Sequence, residues 1–153
     1  MSIAGRNELA HRFHNWCARA SLPFARFALA TIFIWFGALK LVAVSPANPL
    51  VADLLARTLP LVSFDQFILV LGGWEIAIGF AFLIPGFERL ALFLLVPHLL
   101  VTTGPLVLLP QIAWQKILTP TLEGQYIIKN LLIAATALFV AGQTNPSAPA
   151  NRA

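Results

Sequence analysis

The 153-residue chain is 59% hydrophobic and only 10% charged, whereas an ordinary soluble domain carries roughly a quarter charged residues, so water is excluded as its main solvent. Four spans of about 20 residues each would use about half of it, which leaves no room for a separate soluble catalytic domain. The net charge of +4 comes from Lys and Arg at the ends of apolar runs and not from one patch, which points to topology and away from nucleic acid; Cys17, the one cysteine, excludes an intrachain disulfide, a cysteine-ligated cluster and a CxxC pair.

In chain order, residues 1–23 form a basic segment in which Leu9, Phe13, Trp16 and Cys17 recur at helical spacing opposite Arg12, Asn15 and Arg19. That pattern predicts an amphipathic helix at the membrane interface. The membrane domain occupies 24–142, and its first span covers about 24–44. A signal peptide ending near Ala43-Val44-Ser45 competes with that reading, but Lys40, Pro46 and the length of the apolar stretch favour a span. The second span covers 67–84 with Glu75 at its middle and Pro85-Gly86 as its stop. A very short turn at Glu88-Arg89 leads to the third, 90–109, where Pro97, Gly104 and Pro105 predict a kink. The fourth covers 125–142, and the Asn-, Pro-, Ser- and Ala-rich tail 143–153 reads as disordered. The expected fold is therefore an all-α, four-helix membrane bundle preceded by an interfacial helix. Arg6, Arg12, Arg19, Arg26, Arg89 and Arg152 supply six of the ten basic residues. They place both termini and the second connection in the cytoplasm.

A charge near the bilayer centre costs about 2.5–3.5 kcal/mol on insertion scales, so each one must face protein, water or a partner. Lys40, Glu75, His98 and Lys129 are the residues to which this applies. Gly72, Glu75 and Gly79 share one face of the second helix, Gly37 and Lys40 one face of the first, His98 and Thr102 one face of the third, and Gln125 and Lys129 one face of the fourth. One cavity is expected, with Glu75 and His98 as the candidate catalytic pair and Lys40, Lys129, Gln125 and Glu123 binding substrate. Gly37, Gly72 and Gly79 are expected at helix contacts. The plainer alternatives are snorkelling for the lysines, interhelical pairing for Glu75, and satisfaction of carbonyls freed at Pro97 for His98. No metal site, GxGxxG fingerprint, P-loop or HExxH is present. A bis-histidine haem would need a second histidine within the membrane, and His11 and His14 lie in the N-terminal segment.

Phe-Ile-Trp-Phe-Gly-Ala-Leu-Lys at 33–40 after Arg26, Leu-Gly-Gly-Trp-Glu-Ile at 71–76 with Gly79, and Glu-Gly-Gln-Tyr-Ile-Ile-Lys-Asn at 123–130 together resemble the DoxX-like family of small bacterial and archaeal membrane proteins. The likeness extends from Arg26 to Gly142. The chain is also similar to a related branch that includes a reactive-chlorine resistance membrane protein. The resemblance implies a four-helix bundle in the plasma membrane, with Lys40, Glu75 and Lys129 at the family's recurrent polar positions. In some relatives such a bundle is a subunit of a thiosulfate:quinone oxidoreductase, in others part of an oxidative-stress complex.

Three functional readings follow. The first is a membrane subunit of a redox or redox-stress system, without an intrinsic cofactor, whose polar cluster binds a quinone or a small oxidisable substrate and which works with a soluble or membrane redox partner. The second is a small proton-coupled transporter in which Glu75 titrates, acting as a homo-oligomer. The third is a non-catalytic structural subunit. In each the lipid bilayer is the solvent and nucleic acid is not a partner.

Overall fold

The computed structural model describes residues 3–144, with side chains from residue 7 onward. The expected tail lies outside these residues from position 145. The chain is a multi-span membrane protein: four helical stretches, Asn7–Leu41, Phe64–Leu83, Glu88–Leu108 and Leu122–Gln143, are long and apolar enough to cross a bilayer.

Helix α1 runs unbroken from Ile3 to Leu41. Its 39 residues extend roughly 58 Å at 1.5 Å per residue, nearly twice the thickness of a hydrocarbon core. The amphipathic segment is thus the first part of the spanning helix and not a separate element before it. Pro23 sits inside α1; it removes one backbone donor, but Ala18, Arg19, Ala20 and Leu22 before it and Ala25 and Arg26 after it are good helix formers that carry the helix past it. Leu9, Phe13 and Trp16 remain exposed, with the Phe13 and Trp16 rings 6.3 Å apart.

The first connection contains a helix that its prolines hide in the sequence, α2 (Asn48–Thr58). Pro49 occupies the first turn, where a missing N–H costs nothing, and so starts the helix instead of preventing it. Helix α3 (Phe64–Leu83) and helix α4 (Glu88–Thr103) are joined by a turn whose Gly86 has φ +94°, a conformation that favours glycine. Pro97 lies within α4 without ending it, and the interruption comes at Gly104, after which α5 (Pro105–Leu108) continues the span. A short α6 (Pro110–Ala113) and a small antiparallel pair, β1 (Trp114–Lys116) with β2 (Thr119–Pro120), lead into the last span. That span is divided at Lys129 into α7 (Leu122–Ile128) and α8 (Asn130–Gln143), and Thr121 caps its start by accepting the Gly124 N–H at 3.1 Å.

The core joins all four spans: Leu29 and Phe33 of α1, Ile78 and Phe82 of α3, Ala91 and Leu95 of α4, and Ala137 and Val140 of α8. Helices α1 and α3 share the most extensive contact. At their crossing a Cβ added to Gly37 would lie 2.6 Å from the Gly72 carbonyl, and one added to Gly72 would lie 2.8 Å from the Gly37 carbonyl. Each glycine makes room for the other's backbone. Gly79, farther along, packs against Ala30 and Ile34.

Near the α3–α4 turn, Arg26 forms a buried ion pair with Glu88 and donates to the Phe82 carbonyl at 3.2 Å. Glu88 also accepts the Gly86 N–H at 3.0 Å. One guanidinium therefore ties α1 to the end of α3 and the start of α4, where the carboxylate also meets the positive end of the α4 dipole.

Gly72→Leu should destabilise the purified protein by at least about 1–3 kcal/mol, the usual cost of overpacking a tight contact. Gly73→Ala, where an added Cβ meets nothing within 4 Å, should leave stability unchanged or slightly raised. Thermal unfolding in detergent measures both, and equal melting temperatures for Gly72→Leu and the parent would contradict the close approach.

Candidate functional site

The α1–α3 crossing sets the polar interior. Glu75 lies one turn beyond Gly72 on the same face of α3, and the absent Gly72 side chain leaves space where the Lys40 Cβ lies 3.1 Å from the position a Cβ would take. Brought this close, the Lys40 ammonium meets Glu75 Oε2 at 2.6 Å, while its nearest backbone acceptor, the Phe36 carbonyl, is 3.5 Å away. Lys40 turns inward and does not snorkel. The other carboxylate oxygen, Oε1, is 3.0 Å from His98 Nε2 on α4. All three residues are 5–6% exposed. Glu75 thus bridges a cation from α1 and an imidazole from α4, and the three spans meet at one carboxylate.

The imidazole is held from two further sides. The Phe33 ring stands edge-on to it with centroids 5.4 Å apart, and the Trp74 ring does the same at 6.2 Å. Trp74 in turn donates its indole N–H to the Leu94 carbonyl at 3.1 Å, in the turn before Pro97. The His98 ring itself pairs with Glu75. Behind the ring, Thr102 donates to the His98 carbonyl at 3.0 Å and accepts from Asn130 Nδ2 at 3.2 Å, which links α4 to α8.

Lys129, Gln125 and Glu123 lie elsewhere. All three are exposed on α7 or at its junction with α8, and the Lys129 ammonium sits 4.6 Å from the centroid of the Tyr126 ring, a cation–π contact. The last span turns Gly124, Ile127, Ala137 and Val140 inward, and its polar contribution to the interior is Asn130.

Beside the triad lies a partly open apolar pocket of about 350 Å³ between α2, α3, α4 and α5. Leu54, Leu55 and Leu59 wall one side, Phe67, Leu71 and Trp74 another, and Val101 and Leu108 a third. Among the described residues His98 is the one titratable side chain in its lining, and Glu75 does not reach it. His98 Nδ1 is buried without a hydrogen-bond partner, an uncommon state for a polar atom in a protein interior. A more open groove of about 580 Å³ follows the outer face of α1 past Phe27, Thr31, Trp35 and Ala38; its one hydroxyl, of Thr31, is engaged by the Phe27 carbonyl at 2.8 Å, so this groove suits acyl chains. Among the described residues no three His, Cys, Asp or Glu side chains converge as a metal site would need.

The arrangement has three chemical capacities: a buried carboxylate for holding a proton, an imidazole that links that carboxylate to an apolar chamber, and a lysine that balances the carboxylate's charge. Reading the sequence for intramembrane charges reaches these three residues and passes over Arg26, Glu88 and Asn130. A signal for the first two is present. Arg26, Ala30, Phe33, Gly37 and Lys40 follow one another at steps of four and three, as do Glu88, Ala91, Leu95 and His98 at three and four.

Compared with known proteins, the chain matches no family model, no curated protein and no solved structure.

Lys40→Met should lower stability by about 3–5 kcal/mol, because it leaves the buried Glu75 carboxyl without its partner. The double variant Lys40→Met/Glu75→Leu should recover most of that loss. Melting curves for the parent, both single variants and the double variant give the coupling energy, and purely additive effects would show that the two side chains are not paired.

Proposed function

We propose that this chain is a DoxX-like membrane subunit of a redox or oxidative-stress system, and that it binds the headgroup of a lipophilic quinone or quinol beside Lys40, Glu75 and His98. The observation that carries this reading is a buried His98 that lines an apolar pocket and is joined through Nε2 to a buried carboxylate. Ligand sites in proteins are mostly apolar chambers of about 300–1,000 Å³ with a few convergent polar groups, and this pocket has that character. A quinone headgroup with an isoprenoid tail matches it in polarity, since the ring and tail suit the leucine walls and the ring oxygens need a polar partner. Quinone chemistry also requires protons to enter or leave as electrons do, and His98 with Glu75 forms a two-step path for one. The electrons come from an oxidisable substrate or from a soluble or membrane partner.

The sequence resemblance around 33–40, 71–79 and 123–130 supports the same reading, and so does the position of Lys40 and Glu75 within those stretches. In this picture the chain lies in a bacterial or archaeal plasma membrane with both termini in the cytoplasm, as the basic residues favour. The triad lies toward the outer half of the bilayer, and Lys129, Gln125 and Glu123 lie near the outer surface, where an incoming substrate meets them.

A short-tailed quinol should bind the protein in lipid nanodiscs with saturable stoichiometry, and Glu75→Gln, which alters the partner holding His98 Nε2, should weaken that binding about tenfold or more, the scale of one hydrogen bond to a charged group. Equilibrium dialysis under anaerobic conditions measures both. Binding unchanged in Glu75→Gln, in a variant that melts like the parent, would leave the triad a purely structural tie.

A further inference from the structure

The walls of the pocket differ in the solvent they meet on their far side. Helix α2 turns Leu54, Leu55 and Leu59 toward the pocket, while Asp53 and Arg57 are exposed away from it. These two charged residues, four apart on one face, belong in water, because lipid penalises both. Helix α2 thus lies as an interfacial amphipathic helix, with its apolar side over the pocket and its charged side toward the aqueous phase.

Another part of the lining meets lipid. Val70 of α3 and Leu100 of α4 both line the pocket, yet they are 66% and 70% exposed. Each lies well inside a spanning stretch, six residues from Phe64 and eight from Leu108, roughly 9 and 12 Å along their helices. A side chain exposed at that depth is exposed to hydrocarbon. One turn deeper the two helices are tied together, where the Trp74 indole N–H donates to the Leu94 carbonyl at 3.1 Å. The result is a slot roofed by α2, floored by Trp74 and open sideways between α3 and α4. The Thr58 hydroxyl in its lining is taken up by the Leu54 carbonyl at 2.8 Å, so it offers no free donor to a hydrated solute.

We infer that this pocket is a lateral port, entered from the bilayer between Val70 and Leu100, and that it takes a long apolar chain already dissolved in the membrane. Such a chain is the chemistry shared by a lipid acyl group and the isoprenoid tail of a quinone. The inference deepens the proposed function and rests on it only for which of these two the natural occupant carries; the route follows from the walls. A chain that slides in between α3 and α4 exchanges one apolar surrounding for another and never crosses water. An ion or small polar molecule entering under α2 would exchange its hydration for leucine and valine side chains, which is costly.

The full-length protein in nanodiscs, doped with a phosphatidylcholine that carries a diazirine on one acyl chain, tests the route by photolabelling and mass spectrometry. Phe93 and Leu131, both exposed within the spans, report ordinary lipid contact, and Leu55 and Leu71, buried in the pocket wall, report entry. Leu55 and Leu71 should be labelled. In Val70→Trp/Leu100→Trp their label should fall about tenfold relative to that at Phe93 and Leu131, the scale on which overfilling a packed space acts. Both substitutions face lipid and should leave the melting temperature near that of the parent; Val70→Phe and Leu100→Phe, each alone, give the same comparison with less added bulk. Label at Phe93 and Leu131 with none at Leu55 and Leu71 overturns the port, and so does label at Leu55 and Leu71 that the bulky variants leave undiminished. An excess of short-tailed quinol should displace the label from Leu55 and Leu71. If the label enters but the quinol fails to bind or to displace it, the port stands as a lipid site and the quinone reading loses this pocket. If the quinol binds while Leu55 and Leu71 stay bare, the port falls and quinol binding survives.

Discussion

The mutual approach of two backbones at Gly37 and Gly72 is the constraint on which the interior depends. A lysine and a glutamate on separate membrane helices can pair directly only where the helices come close, and apart each would face lipid at a high cost. With no side chain on either glycine, α1 and α3 come close enough for Lys40 and Glu75 to meet at 2.6 Å. The carboxylate is then fixed within reach of α4, and His98 takes its remaining oxygen. Packing and electrostatics are therefore not separate contributions here. The small residues make the ion pair geometrically available, and the pair opposes separation of the helices.

The two ends of the bundle solve the same problem with different residues. Near the α3–α4 turn, Arg26 and Glu88 join α1 to α4 through a guanidinium that also holds the Phe82 carbonyl. Toward the other end, Lys40, Glu75 and His98 join the same helices by way of α3. In the first cluster no buried side-chain nitrogen or oxygen is without a partner, and Gly86 supplies a further N–H. The second leaves one buried imidazole nitrogen, His98 Nδ1, without a partner.

The number and place of the spans were legible because a crossing helix needs about 20 apolar residues, and each run of that length stands out in this chain. Lys40, Glu75 and His98 were legible for the opposite reason, as isolated polar residues where lipid does not tolerate them. What hydrophobicity does not report in such a protein is which apolar residues face inward. Phe93 is 74% exposed and Leu131 76% exposed, while Leu95 is 1% exposed, because lipid solvates a leucine as well as another helix does. The inward face of the last span therefore stayed hidden. Spacing on a single uninterrupted helix aligns Lys129 with Gln125 and Thr136, but that face turns outward, and the small residues Gly124 and Ala137 mark the packed one. Helix α2 was hidden by Pro46, Pro49 and Pro60, which suggest a restrained loop; only Pro49's place in a first turn shows otherwise. Arg26 and Glu88, near the ends of their spans, resemble ordinary interfacial charges until the two faces they share with Lys40 and His98 are traced.

The unbroken first helix also bears on the order of assembly. Lys40 finds its partner 35 positions later in the chain, and Arg26 finds its partner 62 positions later. During synthesis from the N-terminus, α1 therefore enters the bilayer with both cations unmatched. Arrival of α3 neutralises the one near its C-terminal end, and arrival of α4 then neutralises the other. Helices α3 and α4 thus each enter a membrane in which a buried charge of the opposite sign already waits on α1.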